Sequence, residues 1–203
     1  MNIADAAALL TKAVPRQAGD WADLGAGDGT FSRALARRLE SGSRIYAVDR
    51  DRAAIASLEG LASENVEVIP VSGDFTRDLQ LPGVGAGELS GMLFANALHF
   101  VPNPDVVLAR LLSWLRPGGR VVIVEYDGRP PSRWVPYPIS AKQLPEIVAT
   151  LGLSRPAITA TRPSAYGGSL YVAVTDRPVE SSHYHRAVPT PSFEVIRCFV
   201  AIP

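Results

Sequence analysis

Apolar positions along the chain switch between two spacings, and the switches mark out its elements. Ile3, Ala7, Leu10 and Val14 recur at three- and four-residue intervals, which predicts a helix over 3–14 ended by Pro15. Trp21–Leu24 is a short strand-like run. Phe31, Leu35 and Leu39 return to four-residue spacing, with Arg33, Arg37 and Arg38 off that face. They predict a helix over 30–40, with Thr30 as N-cap and Ser41-Gly42-Ser43 as its close. Arg44–Asp49 is nearly continuous apolar sequence ending in an acid, as suits a strand buried on both faces of a parallel sheet. A helix over 52–63 follows, with Asp51 available to cap it. The strand expected over 65–71 contains Pro70, a mark of an edge strand or a strand end. Residues 77–87 form a proline- and glycine-bearing loop expected to cover the sheet edge, and Leu89–Ala95 is a fourth strand.

The second half repeats the alternation. Val106, Val107, Leu111, Leu112 and Leu115 are core candidates of a helix over 103–115. Pro102-Asn103-Pro104-Asp105 starts it and Arg116-Pro117-Gly118-Gly119 stops it. Arg120–Tyr126 is a buried strand. A helix over 139–151, with Ser140 as N-cap and Gly152 as stop, must contain Pro145, so the alternative is a helix that starts near Leu144. Ala157–Thr161 and Ser169–Thr175, joined by a turn with Pro163, Gly167 and Gly168, read as a hairpin.

Composition narrows the class. The chain has 203 residues, 47% hydrophobic and 20% charged, which fits a globular domain with a sizeable core. Basic and acidic residues number 20 each, so no global charge favours nucleic acid or an anionic membrane. The single cysteine, Cys198, excludes an intrachain disulfide. No apolar run reaches membrane-spanning length, and the start, MNIADAAALLTKAVP, lacks the layout of a signal peptide. The expectation is a cytoplasmic protein with a small-molecule substrate, no nucleic-acid or membrane partner, and an open oligomeric state.

The chemistry concentrates in WADLGAGDGTF, residues 21–31. A strand, a glycine turn and a helix start bring bare backbone and free N–H groups to a ligand. The third glycine comes one residue early for a dinucleotide fingerprint, giving G-x-G-x-G with Asp23 two residues ahead. Asp49 lies at the end of the second strand, about 20 residues past the loop, where nucleoside-binding α/β folds hold ribose. The alternative for Asp49 is capping the next helix.

The loop resembles motif I of the class I S-adenosylmethionine-dependent methyltransferases, a small-molecule type similar to methyltransferase domains 11 and 25, and LRPGGRVVIVEYD resembles the family's post-motif III. The resemblance spans about residues 3–175 and implies a Rossmann-like three-layer αβα sandwich. Its seven-stranded sheet would be mostly parallel, with an antiparallel last strand. It implies S-adenosyl-L-methionine as cofactor, with Asp23, Gly25, Ala26, Gly27 and Gly29 at its methionine end and Asp49 and Arg50 at its ribose. Asp74 would meet the adenine amine and Phe75 the ring, unless they are a surface turn acid and a core aromatic. Asn96-Ala97-Leu98-His99-Phe100 matches motif IV, beside the transferred methyl, and differs from the form used on nucleic-acid bases. His99 is the candidate base, with Glu125 or Tyr126 next; the alternative is a packed histidine bonded to backbone. Trp134 and Tyr137, on a proline-stiffened loop, either line a pocket for a flat or apolar substrate or are simply buried.

The segment 176–203 is read as a poorly defined extension, with FEVIRCFVAIP as a candidate strand. His183, His185 and Cys198 make too sparse a set for a metal site, so none is expected. Two rival functions stay open: a nicotinamide-dependent oxidoreductase, and a non-catalytic module that binds the same cofactor.

Overall fold

A seven-stranded sheet in the order β3-β2-β1-β4-β5-β7-β6 forms the centre of the computed structural model. The described residues are 1–59, 65–165 and 167–179. The strands are β1 Trp21–Leu24, β2 Ser43–Asp49, β3 Val66–Ser72, β4 Leu89–Ala95, β5 Leu115–Asp127, β6 Ala157–Pro163 and β7 Ser169–Asp176. β1 to β5 pair in parallel, and only β7 runs against the rest. β3 is an edge strand, as Pro70 predicts.

The helices are α1 Ile3–Leu10, α2 Thr30–Ala36, α3 Arg52–Leu58, α4 Pro104–Leu111 and α5 Leu144–Ala149. Strand alternation sorts the core into two faces. Trp21, Ile45, Leu93 and Val122 pack with α1 and α2, while Ala22, Tyr46, Met92, Phe94 and Ile123 pack with α4 and α5. Gly91 makes room for Trp21, since a Cβ there would lie 2.5 Å from the indole ring.

Several boundaries differ from expectation. α2 ends at Ala36 rather than 40, because Arg38 N–H bonds three residues back to Leu35 and the chain tightens toward β2. Thr30 is the first helical residue and not the cap. Gly29 occupies the cap position at φ +79°, and the Asp28 carboxylate accepts from the Thr30 N–H and hydroxyl at 3.0 and 2.8 Å. α4 ends at Leu111 in a tight turn, Leu112–Trp114. Val106 is 65% exposed because Val107, Leu108 and Leu111 supply the buried stripe and Val106 falls off it. α5 starts at Leu144, so Pro145 sits in its first turn. Asp51 caps α3, which ends at Leu58; 60–63 of the helix expected over 52–63 lie outside the described residues.

β7 runs one residue past the expected boundary. Asp176 pairs with Arg120 on β5, Nε to Oδ1 at 2.7 Å, and Arg177 donates to the carbonyls of Leu112 and Leu115. The candidate strand FEVIRCFVAIP and the residues His183, His185 and Cys198 lie outside the described residues. Among the described residues no helix is long and apolar enough to cross a membrane.

Candidate active site

The strand order reverses at β1, whose neighbours β2 and β4 lead away in opposite directions. A crevice forms beyond the carboxyl ends of strands at such a switch point. Here it is a cavity of about 580 Å³ lined by the loops after β1 to β4. Of the predicted cofactor residues, Gly25, Ala26, Gly27, Asp49, Arg50, Asp74, Phe75 and Asn96 line it, while Asp23 and Gly29 do not.

The glycine loop is bent into place by β2. Gly25 and Ala26 both donate N–H to the Val48 carbonyl at 2.9 Å, and Gly27 N–H donates to Asp49 Oδ2 at 2.8 Å. Gly25 sits at φ +84°, where an added Cβ would come within 2.7 Å of Ala97 Cβ. Gly27 is also left-handed, at φ +55°, but its Cβ direction is open space. One glycine therefore lets two loops approach, and the other keeps the cavity clear.

Asp49 lines the cavity and does not cap α3. Its Oδ1 accepts from Asp51 N–H at 2.9 Å, starting the turn into α3, while Asp51 itself caps the helix through Ala53 N–H. Each carboxylate oxygen accepts more than one hydrogen bond, so these contacts leave lone pairs toward the cavity.

Asp74 closes an Asx turn, accepting from Thr76 N–H and hydroxyl at 2.9 and 2.6 Å. Burial pushes its carboxyl up, but the two Thr76 bonds and the nearby Arg50 and Arg77 guanidinia outweigh that and bring it below the ordinary range. Asp28 is lowered too, first by the Thr30 hydroxyl. Phe75 is both a wall residue and a core aromatic. It is buried, edge-on to Phe94 at 5.8 Å, and its carbonyl accepts from Arg110 at 2.7 Å.

Asn96 is the one non-glycine residue at positive φ among the described residues, at +54°, and its N–H donates to Val124. Its side-chain Oδ1 is buried without a partner. Held strain plus an unmet acceptor on a cavity wall is what a polar ligand would complete.

Asp23 lies beneath the loop, fully buried, with Oδ2 accepting from Ser32 on α2 at 2.6 Å. Burial pushes its carboxyl up to about 7; the Ser32 bond opposes this and Asp49 adds to it. The folded state thus holds a proton that the unfolded chain releases near 3.8. This contribution to stability is full below that value and fades as pH rises toward 7. Relative to Asp23→Asn, the wild type should lose about 2–3 kcal/mol of unfolding free energy between pH 5 and pH 8 in urea titrations. A difference that does not change with pH would show the carboxyl is ionised throughout.

His99 lies in the tight turn Leu98–Phe100 and is 2% exposed. Its backbone N–H donates to Glu125 Oε1 at 3.1 Å, and its ring Nδ1 meets Glu125 Oε2 at 2.6 Å. Glu125, on β5, is fully buried. His99 is not itself a wall residue, but its ring packs against that of Phe100 at 4.4 Å, and Phe100 lines the cavity. Tyr126 stands 5.9 Å from the imidazole. Trp134 and Tyr137 are 69% and 47% exposed, so they are not the buried aromatics of the alternative reading, and neither lines the cavity. Tyr137 N–H nonetheless donates to the His99 carbonyl at 3.0 Å, which ties that loop to the site.

Wall residues missed from the sequence include Met1, Thr30, Gly73, Ala97, Phe100 and Pro102. Gly73 directly precedes Asp74 and Thr76 bonds its carboxylate; Met1 lies just ahead of α1, which packs on α2.

Residues 22–119 match the family described as "Methyltransferase domain". No curated protein matches the chain. Among solved structures, a SAM-dependent methyltransferase from Aquifex aeolicus is similar at TM-score 0.66 and 15% identity, over 85% of this chain and 89% of that one. The Burkholderia thailandensis 1,6-didemethyltoxoflavin-N1-methyltransferase, with 1,6-didemethyltoxoflavin and S-adenosylhomocysteine bound, is similar at TM-score 0.64 and 23% identity, over 88% and 78%. An arsenic(III) S-adenosylmethionine methyltransferase from Chlamydomonas reinhardtii is similar at TM-score 0.65 and 16% identity, over 88% and 74%. The strand order and the glycine crevice agree with the family match, which places a methyltransferase domain over residues 22–119, and the fold is shared with solved S-adenosylmethionine-dependent methyltransferases.

Proposed function

We propose that this protein transfers a methyl group from S-adenosylmethionine to a small-molecule acceptor. The carrying observation is that the glycine loop, Asp49, Asp74 and Phe75, and Asn96 come from four different strand ends yet line one cavity. The donor set suits the cofactor. Asp49 offers lone pairs to two vicinal hydroxyls, Asp74 with Phe75 offers an acceptor beside an aromatic wall, and Asn96 Oδ1 lacks a partner that an ammonium group would supply. Carboxylates at Asp28, Asp49 and Asp74 also favour a cationic ligand. When bound, S-adenosylmethionine brings a methyl group already activated by its positive sulfur.

The protein's task is then to orient and to exclude water. The walls at Ala97, Phe100 and Pro102 form the end of the cavity beside His99. The balanced charge of the chain supports a small molecule over a nucleic-acid acceptor. A solved relative holds 1,6-didemethyltoxoflavin, and Phe100 supplies an aromatic wall to the cavity here.

Calorimetry should show S-adenosylmethionine and S-adenosylhomocysteine binding at a single site, with no heat from nicotinamide dinucleotides. Binding of the nicotinamide cofactor instead would replace this reading with the oxidoreductase. Cofactor binding with no turnover against a broad acceptor panel would favour the non-catalytic module.

A further inference from the structure

We propose that Asp23 is a specificity-determining residue: it gives up a proton when cationic S-adenosylmethionine binds, and this exchange makes the site favour that cofactor over S-adenosylhomocysteine, whose sulfur is uncharged. The inference rests on the methyl-transfer reading above. Asp23 is fully buried near the carboxyl end of β1, two residues before the wall residue Gly25. Its Oδ2 accepts from the Ser32 hydroxyl on α2, so this bond ties together the two elements that flank the glycine loop. Its Oδ1 is buried with no hydrogen-bond partner. Among the described residues no arginine, lysine or histidine forms an ion pair with it. A carboxylate charge met by one hydroxyl in a dry site is costly, so the group keeps its proton until a cation arrives.

The elements packed around Asp23 supply no such cation. β4 carries no titratable side chain. On α2 the Arg33 guanidinium is bound to the Asp28 and Ser57 carbonyls, and on α1 Asp5 pairs with Arg162. On β2, Arg44 pairs with Asp20 at the other end of the strand and Tyr46 belongs to the opposite core. Asp49 is the group whose charge reaches Asp23, and that charge is negative. Burial, with Asp49 adding to it against the Ser32 bond, holds the Asp23 proton up to about 7. Asp28 and Asp74, on the cavity wall, lie below the ordinary carboxylate range, so near neutral pH they attract a cation with no proton change. A positive charge in the cavity stabilises ionised Asp23 and releases its proton. Binding that releases a proton tightens as pH rises and levels off above the free-state value. During transfer the electrons of the broken carbon–sulfur bond stay on sulfur, the positive charge leaves it, and Asp23 regains a proton from solvent. The site thus holds the spent cofactor less tightly than the fresh one.

Calorimetry in buffers of different ionisation enthalpy tests this. Between about pH 6 and pH 7, S-adenosylmethionine should release about half a proton more than S-adenosylhomocysteine does. The ligands' own amino groups titrate alike against any variant, so Asp23→Asn is the reference. Relative to it, the wild-type preference for S-adenosylmethionine should rise about five- to tenfold from pH 5.5 to pH 8, for a shift of about one pKa unit on binding. Ser32→Ala removes the bond that favours the charged form and should move the proton release to higher pH. Carbon NMR of the Asp23 carboxyl near pH 6.5 should show it mostly protonated in the free wild type, mostly ionised with S-adenosylmethionine and protonated again with S-adenosylhomocysteine. The wild-type spectra and Ser32→Ala carry the test if Asp23→Asn does not fold. If S-adenosylmethionine binds with no proton release beyond that of S-adenosylhomocysteine, if the free carboxyl is already ionised, or if Ser32→Ala leaves the release where it was, the inference is overturned and the parent reading stands. If the unaltered protein does not bind S-adenosylmethionine at any of these pH values, the parent reading and this inference fall together.

Discussion

Asp49→Ala should weaken S-adenosylmethionine binding by roughly a hundredfold to ten-thousandfold. Two charge-assisted hydrogen bonds to vicinal hydroxyls contribute about 1.5–3 kcal/mol each, so their joint loss costs about 3–6 kcal/mol. A second contribution comes from the protein itself. Asp49 Oδ2 holds Gly27 N–H at 2.8 Å and Oδ1 holds Asp51 N–H at 2.9 Å. Without the carboxylate the glycine loop loses its tie to β2 and must be ordered by the ligand, which lowers affinity further. Asp49→Asn separates the two contributions, since the amide oxygen can keep one backbone bond while the charge is gone. Isothermal titration of both variants decides the matter. Affinity within about threefold of wild type for the alanine variant would remove Asp49 from the binding site.

Gly25→Ala should destabilise the fold by about 2–5 kcal/mol. The left-handed backbone costs a residue with a Cβ about 1–2 kcal/mol, and forcing a methyl into packed space costs about 1–3 kcal/mol more. The clash is with Ala97 Cβ at 2.7 Å, with Phe75 Cε1 close behind at 3.4 Å. Relief by backbone movement is blocked, because the N–H groups of Gly25 and Ala26 are both bound to Val48. Gly27→Ala is the control. It carries the same kind of backbone strain at φ +55° but meets nothing within 4 Å, and its methyl would stand in the cavity. The first variant should therefore melt well below wild type, by roughly 5–15 °C, and the second by only a few degrees with the larger part of its effect on cofactor affinity. Equal melting of the two variants would show that loop-to-loop packing at Gly25 is not what the fold requires.

Much of the site was legible because its parts are local. A strand ending in an acid, a glycine run and a turn acid after a strand are each short signals, and the strand order that gathers them follows from alternating βα units. Other features were not legible because they depend on what lies across the sheet. Asp23 was expected at the ligand and lies under the loop, since strand alternation turns its side chain toward Ser32 and α2. Glu125 and Tyr126 read as interchangeable bases, yet their neighbouring positions on β5 point to opposite faces, and only Glu125 meets the His99 ring nitrogen. Trp134 and Tyr137 were expected to be buried or pocket-lining and are exposed outside the cavity wall.

The sequence by itself determined the mostly parallel sheet with one reversed strand, and it placed Gly25, Gly27, Asp49 and Asp74 at the crevice. Periodicity and turn chemistry act over a few residues and are written in residue order. Only the tertiary structure decided the partner of His99, the orphaned oxygen of Asn96 and the burial of Asp23. These depend on contacts between segments far apart in the chain, such as residues 99 and 125, whose meeting is set by strand register and packing and leaves no mark in the local pattern.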